Sequence, residues 1–184
     1  GTKNEKGESH GRGVLQYTNG DMYDGEWNCN RKHGKGCYTY ANGAAYLGEY
    51  KNGKMDGKGT YSFVDGAVFD GDFKADVKSG FGTYLYASGA IYQGQWKDNE
   101  VHGQGLYKYD NNDDFYNGAF VMGKMHGKGF AKHEGSSVVY FGSFEDGQPT
   151  ILDEFDVNAR QGAIKPPDFD LKNLEEVITM RDAC

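Results

Sequence analysis

Every 23 residues this chain returns to the same pattern, and a period of that length restricts it to architectures built by stacking like units. Aligned on an aromatic-x-Gly-x-aromatic pentapeptide, the units begin at Tyr23, Tyr46, Phe69, Tyr92, Tyr116 and Tyr140, with spacings of 23, 23, 23, 24 and 24 residues. Self-similarity at about 20 to 50 residues marks a repeat array, in which each unit buries its apolar face only against its neighbours. Most of the 14 tyrosines, 11 phenylalanines and 2 tryptophans fall in repeat columns, as do most of the 29 glycines.

Within a unit the alternation has period two, the signature of strands. In Tyr46-Leu47-Gly48-Glu49-Tyr50 the rings and the glycine face one way, and Leu47 and Glu49 the other. In the run that follows, Gly57, Gly59, Tyr61 and Phe63 share a face, opposite Lys58, Thr60 and Ser62. Asn19-Gly20, Asn42-Gly43, Asp65-Gly66 and Ser88-Gly89 recur at one register between units and supply the positive φ of tight turns. Twelve short antiparallel strands are therefore expected, the first over about Gly11 to Tyr17. Glycine weakens a strand unless something is gained by its bareness. The gain expected here is a ring lying flat over the glycine backbone of an adjacent strand.

The units Tyr23-Asp24-Gly25-Glu26-Trp27 with His33-Gly34-Lys35-Gly36, Tyr92-Gln93-Gly94-Gln95-Trp96 with His102-Gly103-Gln104-Gly105, and Tyr116-Asn117-Gly118-Ala119-Phe120 with His126-Gly127-Lys128-Gly129 resemble MORN repeats (membrane occupation and recognition nexus). The resemblance covers about residues 10–147. It implies an all-β repeat array: an elongated, single-layer, twisted antiparallel sheet of successive β-hairpins with an aromatic groove. The family supplies scaffolds and adaptors at membrane contacts and the cytoskeleton, and accessory arrays to larger enzymes. The chain departs from the pattern at Ser79 and Phe81, at Ala131 and His133, and in links lengthened by one residue around 112–114 and 135–137.

The expected organisation is an array over 10–147, with six units preceded by a half unit, then a linker over 148–169 and a C-terminal helix over 170–184. In that last segment Leu171, Leu174, Val177 and Ile178 fall on one helical arc, Asp170 suits the N-cap and Arg181 the last turn. A helix of about 12 residues is marginal alone. It is expected to dock on the aromatic face of its own array, or on a second copy as a homodimer formed through this helix or the array ends. Because the chain opens mid-repeat, it is expected to be a fragment of something longer.

Several features invite chemistry that the spacing does not support. His10, His33, His102 and His126 share a column, but equivalent atoms two strands apart sit roughly 10 Å from each other. Zinc needs its nitrogens about 2 Å from one centre, so no metal is expected. Gly34-Lys35-Gly36 and its copies lack the ending of a phosphate loop and the third glycine of a dinucleotide fingerprint, so no nucleotide cofactor is expected. Glu26, Glu49 and Asp72 read as a solvated row, and no nucleophile motif is present. Cys29, Cys37 and Cys184 contain no C-x-x-C pair and are odd in number, which suggests neither a zinc knuckle nor a disulfide framework and favours a reduced, cytoplasmic location, to which the family resemblance adds the cytoskeleton or membrane periphery. A formal charge of −7 does not suggest nucleic-acid binding.

Two surfaces remain. Trp27, Tyr50, Phe73 and Trp96 form one aromatic stripe and Tyr38, Tyr61, Tyr84 and Tyr107 another, together a groove for an extended peptide or helix of a protein partner. Lys35, Lys51, Lys58, Lys74, Lys97 and Lys128 form rows that suit anionic lipid headgroups or an acidic partner, although the acids beside them suit cross-strand pairing equally well. The expected function is a non-enzymatic interaction scaffold or adaptor. The alternatives are a peripheral membrane module binding anionic phospholipids and an accessory domain of a larger enzyme.

Overall fold

The computed structural model describes residues 1–110, 114–132 and 139–155. Its regular structure there is entirely β: β1 (Thr2–Lys3), β2 (Ser9–Gln16), β3 (Met22–Asn28), β4 (Arg31–Thr39), β5 (Ala45–Lys51), β6 (Lys54–Ser62), β7 (Val68–Lys74), β8 (Val77–Leu85), β9 (Ile91–Lys97), β10 (Glu100–Lys108), β11 (Phe115–Val121), β12 (Lys124–Lys132), β13 (Val139–Glu145) and β14 (Gln148–Phe155). Their order in the sheet is their order in the sequence, the outcome expected of hairpins laid down one after another. The chain divides into two compact units, one built on Gly1–Gly80 and the other beginning at Phe81 within β8. Among the described residues the strands number fourteen rather than twelve. A short β1 pairs with β2 through Thr2↔His10 and Lys3↔Ser9, and β14 carries the sheet past Gly147, where the repeat pattern ends. The linker beyond Phe155 and the helix expected from Asp170, with Leu171, Leu174, Val177 and Ile178, lie outside the described residues.

Two turn chemistries alternate along the chain. Inside each hairpin a two-residue turn has both residues at positive φ: Cys29 and Asn30 (47° and 63°), Asn52 and Gly53 (53° and 89°), Ala75 and Asp76 (52° and 74°). This is the type I′ pattern, whose twist matches that of the strands it joins. Between hairpins only the glycine is left-handed, as at Gly20 (93°) and Gly43 (91°). Here the preceding residue acts through its side chain instead: Asn19, Asn42 and Asp65 each accept the backbone N–H two residues on, from Asp21, Ala44 and Ala67 at 3.0–3.1 Å. The Asn-Gly pairs thus mark the links, as expected, but by an Asx turn rather than two positive φ angles.

A third device interrupts pairing within several hairpins. Gly25 pairs with Gly36, yet the next residue Glu26 pairs with His33, so Gly34 and Lys35 bulge out. Gly34 adopts φ 58° there, and Glu26 Oε1 accepts the displaced Lys35 N–H at 3.0 Å. Gln95 does the same for Gln104 at 2.8 Å. The acidic row read as merely solvated therefore has a structural duty at Glu26, because a bulge leaves a backbone donor that needs an acceptor.

The face away from the stacked rings is less polar than expected. Thr60, Ser62 and Val68 are buried there in the first unit, and Thr60 Oγ1 donates to Asp70 at 2.8 Å. In the second unit Leu106, Phe115 and Val139 form a small apolar cluster with Phe130. Cys29 is a free, exposed thiol.

Candidate functional site: the ring face

The first residue of each pentapeptide is the keystone of its hairpin. Tyr23, Tyr46, Phe69 and Tyr92 have no exposed surface, and Tyr116 almost none. Each of the four tyrosines lies over the glycine pair of its own hairpin. A Cβ built on Gly36 would come within 2.6 Å of Tyr23 Cζ, and one on Gly105 within 2.6 Å of Tyr92 Cζ, distances real Cβ atoms do not reach. The hydroxyl then donates to the carbonyl three residues ahead: Tyr23 to Glu26 at 2.9 Å, Tyr46 to Glu49 at 3.1 Å, Tyr92 to Gln95 at 2.9 Å and Tyr116 to Ala119 at 3.0 Å. Ring, hydroxyl and bare glycines form one motif in these four hairpins, and Phe69 keeps the ring and the glycines without the hydroxyl.

The fifth residue of the pentapeptide closes the gaps between keystones. In the first unit Trp27, Tyr23, Tyr50, Tyr46, Phe73 and Phe69 follow one another edge to face, with centroids 5.1–5.2 Å apart and planes at 83–89°. In the second unit Trp96, Tyr92, Phe120, Tyr116 and Phe144 continue the scheme at 4.8–5.4 Å and 74–89°. Edge-to-face pairs at this spacing contribute about 0.5–1.5 kcal/mol each beyond burial. Both indoles also donate across to the preceding strand, Trp27 to the Gly13 carbonyl at 2.9 Å and Trp96 to that of Gly82 at 3.1 Å.

A second ladder runs beside this inner one. Tyr17, Tyr38, Tyr40, Tyr61 and Phe63 succeed each other in the first unit at 4.6–5.8 Å with tilts of 40–55°. In the second unit Tyr84, Tyr86, Tyr107 and Tyr109 repeat it at 4.6–5.7 Å. All nine rings are only partly buried.

The eight residues of the expected groove thus divide into two classes. Tyr50, Phe73 and Trp96 are buried inside the inner ladder, while Tyr38, Tyr61, Tyr84 and Tyr107 keep accessible surface in the outer one, and Trp27 is intermediate. The row Tyr17, Tyr40, Phe63, Tyr86 and Tyr109 was missed as a site, though its 23-residue spacing is as plain as that of the others.

Electrostatics sharpens the first unit. Asp21 accepts the Tyr38 hydroxyl at 2.6 Å and the Ala41 N–H at 2.8 Å, and these bonds hold its carboxyl below the usual range. Tyr38 is pushed up in turn, first by burial and then by that carboxylate. Lys32 lays its ammonium over the rings of Tyr38 (4.2 Å), Tyr50 (4.9 Å) and Tyr23 (5.7 Å). Burial lowers its pKa, and the carboxylates of Asp76 and Asp21 act in the opposite direction. Lys78, two repeats on, lies 5.4 Å from Phe69 and 5.8 Å from Phe63. Neither lysine was singled out from sequence, because their column also contains Met55 and Val101 and shows no charge pattern.

Lys35, Lys51, Lys58, Lys74, Lys97 and Lys128 are all exposed. Lys58 pairs with Asp72 at 2.8 Å and Lys35 stands opposite Glu49 in register. His33 Nδ1 is buried without a hydrogen-bond partner. Among the described residues no group of His, Cys, Asp and Glu could hold a metal ion, and no helix is long and apolar enough to cross a membrane.

No curated protein matches the chain. Among solved structures, it is similar to the TCP10 domain of Danio rerio CPAP in complex with a STIL peptide, at 12% identity and TM-score 0.47, over 78% of this chain and 62% of that one. It is also similar to the Drosophila melanogaster SAS-4 (dCPAP) TCP domain in complex with a proline-rich motif of Ana2, at 14% identity and TM-score 0.42, over 71% and 70%. The chain therefore spans less than two thirds of the first of these neighbours. The MORN repeat model matches residues 5–22, 23–45, 46–68, 69–91, 92–114 and 116–131, taking in the expected half unit and leaving out the unit at Tyr140. With six consecutive matches over well more than half its length, and a keystone tyrosine over a glycine pair in four of its hairpins, the chain belongs to the MORN-repeat family.

Proposed function

We propose that the chain is a non-enzymatic scaffold that holds a segment of another protein against the outer aromatic ladder. One observation supports this above others: the two ladders share a face but not a burial state. The inner rings are spent on holding hairpins together, whereas Tyr38, Tyr40, Tyr61 and Phe63 form an ordered row with surface left over. Contiguous accessible rings on a rigid sheet provide anchoring area at little entropic cost, the property that makes aromatic residues dominate interfaces.

Panning displayed 12-residue peptides against the chain tests the reading. Selected binders should lose about tenfold or more in affinity for a Tyr40→Leu, Tyr61→Leu double variant that retains its circular dichroism spectrum. Recovery of no ring-dependent binder, together with salt-sensitive binding to phosphatidylserine vesicles that Lys35→Ala and Lys51→Ala abolish, would overturn it in favour of a lipid-binding module.

A further inference from the structure

We infer that the segment held by the outer ladder of the first unit is a proline-rich stretch in polyproline II conformation, lying across the strands; this rests on the reading above. The argument is one of matching periods. Tyr17, Tyr40 and Phe63 occupy one row at 23-residue spacing, one hairpin apart, with Tyr38 and Tyr61 in the row beside it. Strands lie about 4.8 Å apart, so one hairpin advances the row by about 9.6 Å. A polyproline II helix rises about 3.1 Å per residue with three residues per turn, and so returns the same face every 9.3 Å or so.

The alternatives fit less well. An α-helix returns a face after seven residues, or about 10.5 Å, and slips by about 1 Å with every hairpin. An extended strand returns a face about every 6.7 Å and is out of phase at the next ring. A polyproline segment instead places every third residue against consecutive rings, with a mismatch of only a few tenths of an ångström per hairpin.

The chemistry agrees with the geometry. The rings tilt by 40–55° to one another, leaving oblique notches rather than a flat wall. Notches between aromatic rings take the flat faces of pyrrolidine rings, and a polyproline helix arrives already ordered, so little entropy is lost on docking. It also requires no backbone hydrogen bonds from the sheet. That suits a surface where Tyr38 already donates to Asp21 and the Trp27 indole to Gly13.

The row from Tyr17 to Phe63 spans two hairpins, about 19 Å, which six to seven residues of this conformation cover. Titrating triproline, hexaproline and nonaproline into the wild-type chain, followed by chemical shift changes, is the direct experiment. Affinity should climb from triproline to hexaproline by about tenfold as a second ring row engages, and level off by nonaproline. A nonaproline analogue with alanine at every third position should bind markedly less tightly, and Tyr40→Leu with Tyr61→Leu should abolish binding. Absence of nonaproline binding, or binding indifferent to peptide length or to those rings, overturns the inference. Selected peptides that bind the rings but contain no proline would overturn it while leaving the scaffold reading intact; loss of all ring-dependent binding removes both.

Discussion

Replacing Gly105 with alanine should cost far more than the removal of a strand glycine normally gains. The position has an ordinary φ, so alanine itself is tolerated, and its intrinsic preference for a strand is slightly better than that of glycine. The obstacle is Tyr92. All three atoms nearest a Cβ at Gly105 belong to that ring, including Cε2 at 2.5 Å and Cζ at 2.6 Å, so the ring must retreat by most of an ångström. Tyr92 has no exposed surface and no slack: it meets Trp96 at 5.4 Å and Phe120 at 5.2 Å, and donates to the Gln95 carbonyl at 2.9 Å. Overpacking alone costs about 1–3 kcal/mol. Degrading two edge-to-face pairs adds about 0.5 kcal/mol or more each, and losing a buried hydrogen bond about 1 kcal/mol. The expected loss is about 3–4 kcal/mol. Urea unfolding of the wild type, Gly105→Ala, Tyr92→Ala and the double variant forms a thermodynamic cycle. Without the ring, the added methyl should be harmless, so the coupling should exceed about 2 kcal/mol. Additivity within about 0.5 kcal/mol would refute the keystone account.

Gly48→Val and Gly94→Val should each lower the melting temperature clearly despite valine's strand preference, because a Cβ at Gly48 would lie 2.6 Å from the Gly59 backbone; calorimetry reads this directly. Ala75→Asn, at a turn position with φ 52° that Asn52 fills in the previous hairpin, should raise stability by about 1 kcal/mol in urea titration, and Asn52→Ala should lower it similarly. Burial raises Tyr86 and Tyr116 to about 12 from an ordinary 10. The unfolded chain therefore releases these protons first, so stability is intact below pH 10 and falls as pH rises from 10 towards 12. The part of the tyrosinate absorbance that comes from these buried rings should then appear together with loss of circular dichroism rather than before it. Asp21 has the opposite sign: its depressed pKa contributes stability above about pH 4 that is lost on acidification, and Asp21→Asn should flatten that part of the acid profile.

The fold was legible because its causes are periodic. Six pentapeptides announced the hairpins, and glycines sharing a face with rings announced the stacking, since nothing else offsets their cost in a strand. What resisted reading was aperiodic or conformational. Cys29-Asn30 and Ala75-Asp76 turn as type I′ without the Asn-Gly signature, because the strands they join impose the twist and two non-glycine residues are strained to follow. The bulge at Gly34 was hidden because strict alternation was assumed across it, and the role of Glu26 went with it. At the site, the rows containing Trp27 and Tyr38 were visible as rings but not as two burial classes. Burial depends on which ring leans over which neighbour, and the 23-residue period says nothing of that.

Sequential strand order among near-identical units carries a hazard of its own. Any second strand could, in principle, accept the first strand of a later unit and find the same tyrosine, the same glycine pair and the same turn, so the keystone motif does not tell one unit from the next. The departures from the repeat do. Aspartate stands two residues before the pentapeptide only at Asp21 and Asp114, whereas Ala44, Ala67 and Ala90 occupy the intervening positions. Asp21 receives the Tyr38 hydroxyl and the Ala41 amide, a pair of bonds that alanine in the same place could not accept. The irregular residues therefore serve as addresses: they number the rungs of a ladder whose regular residues only build it.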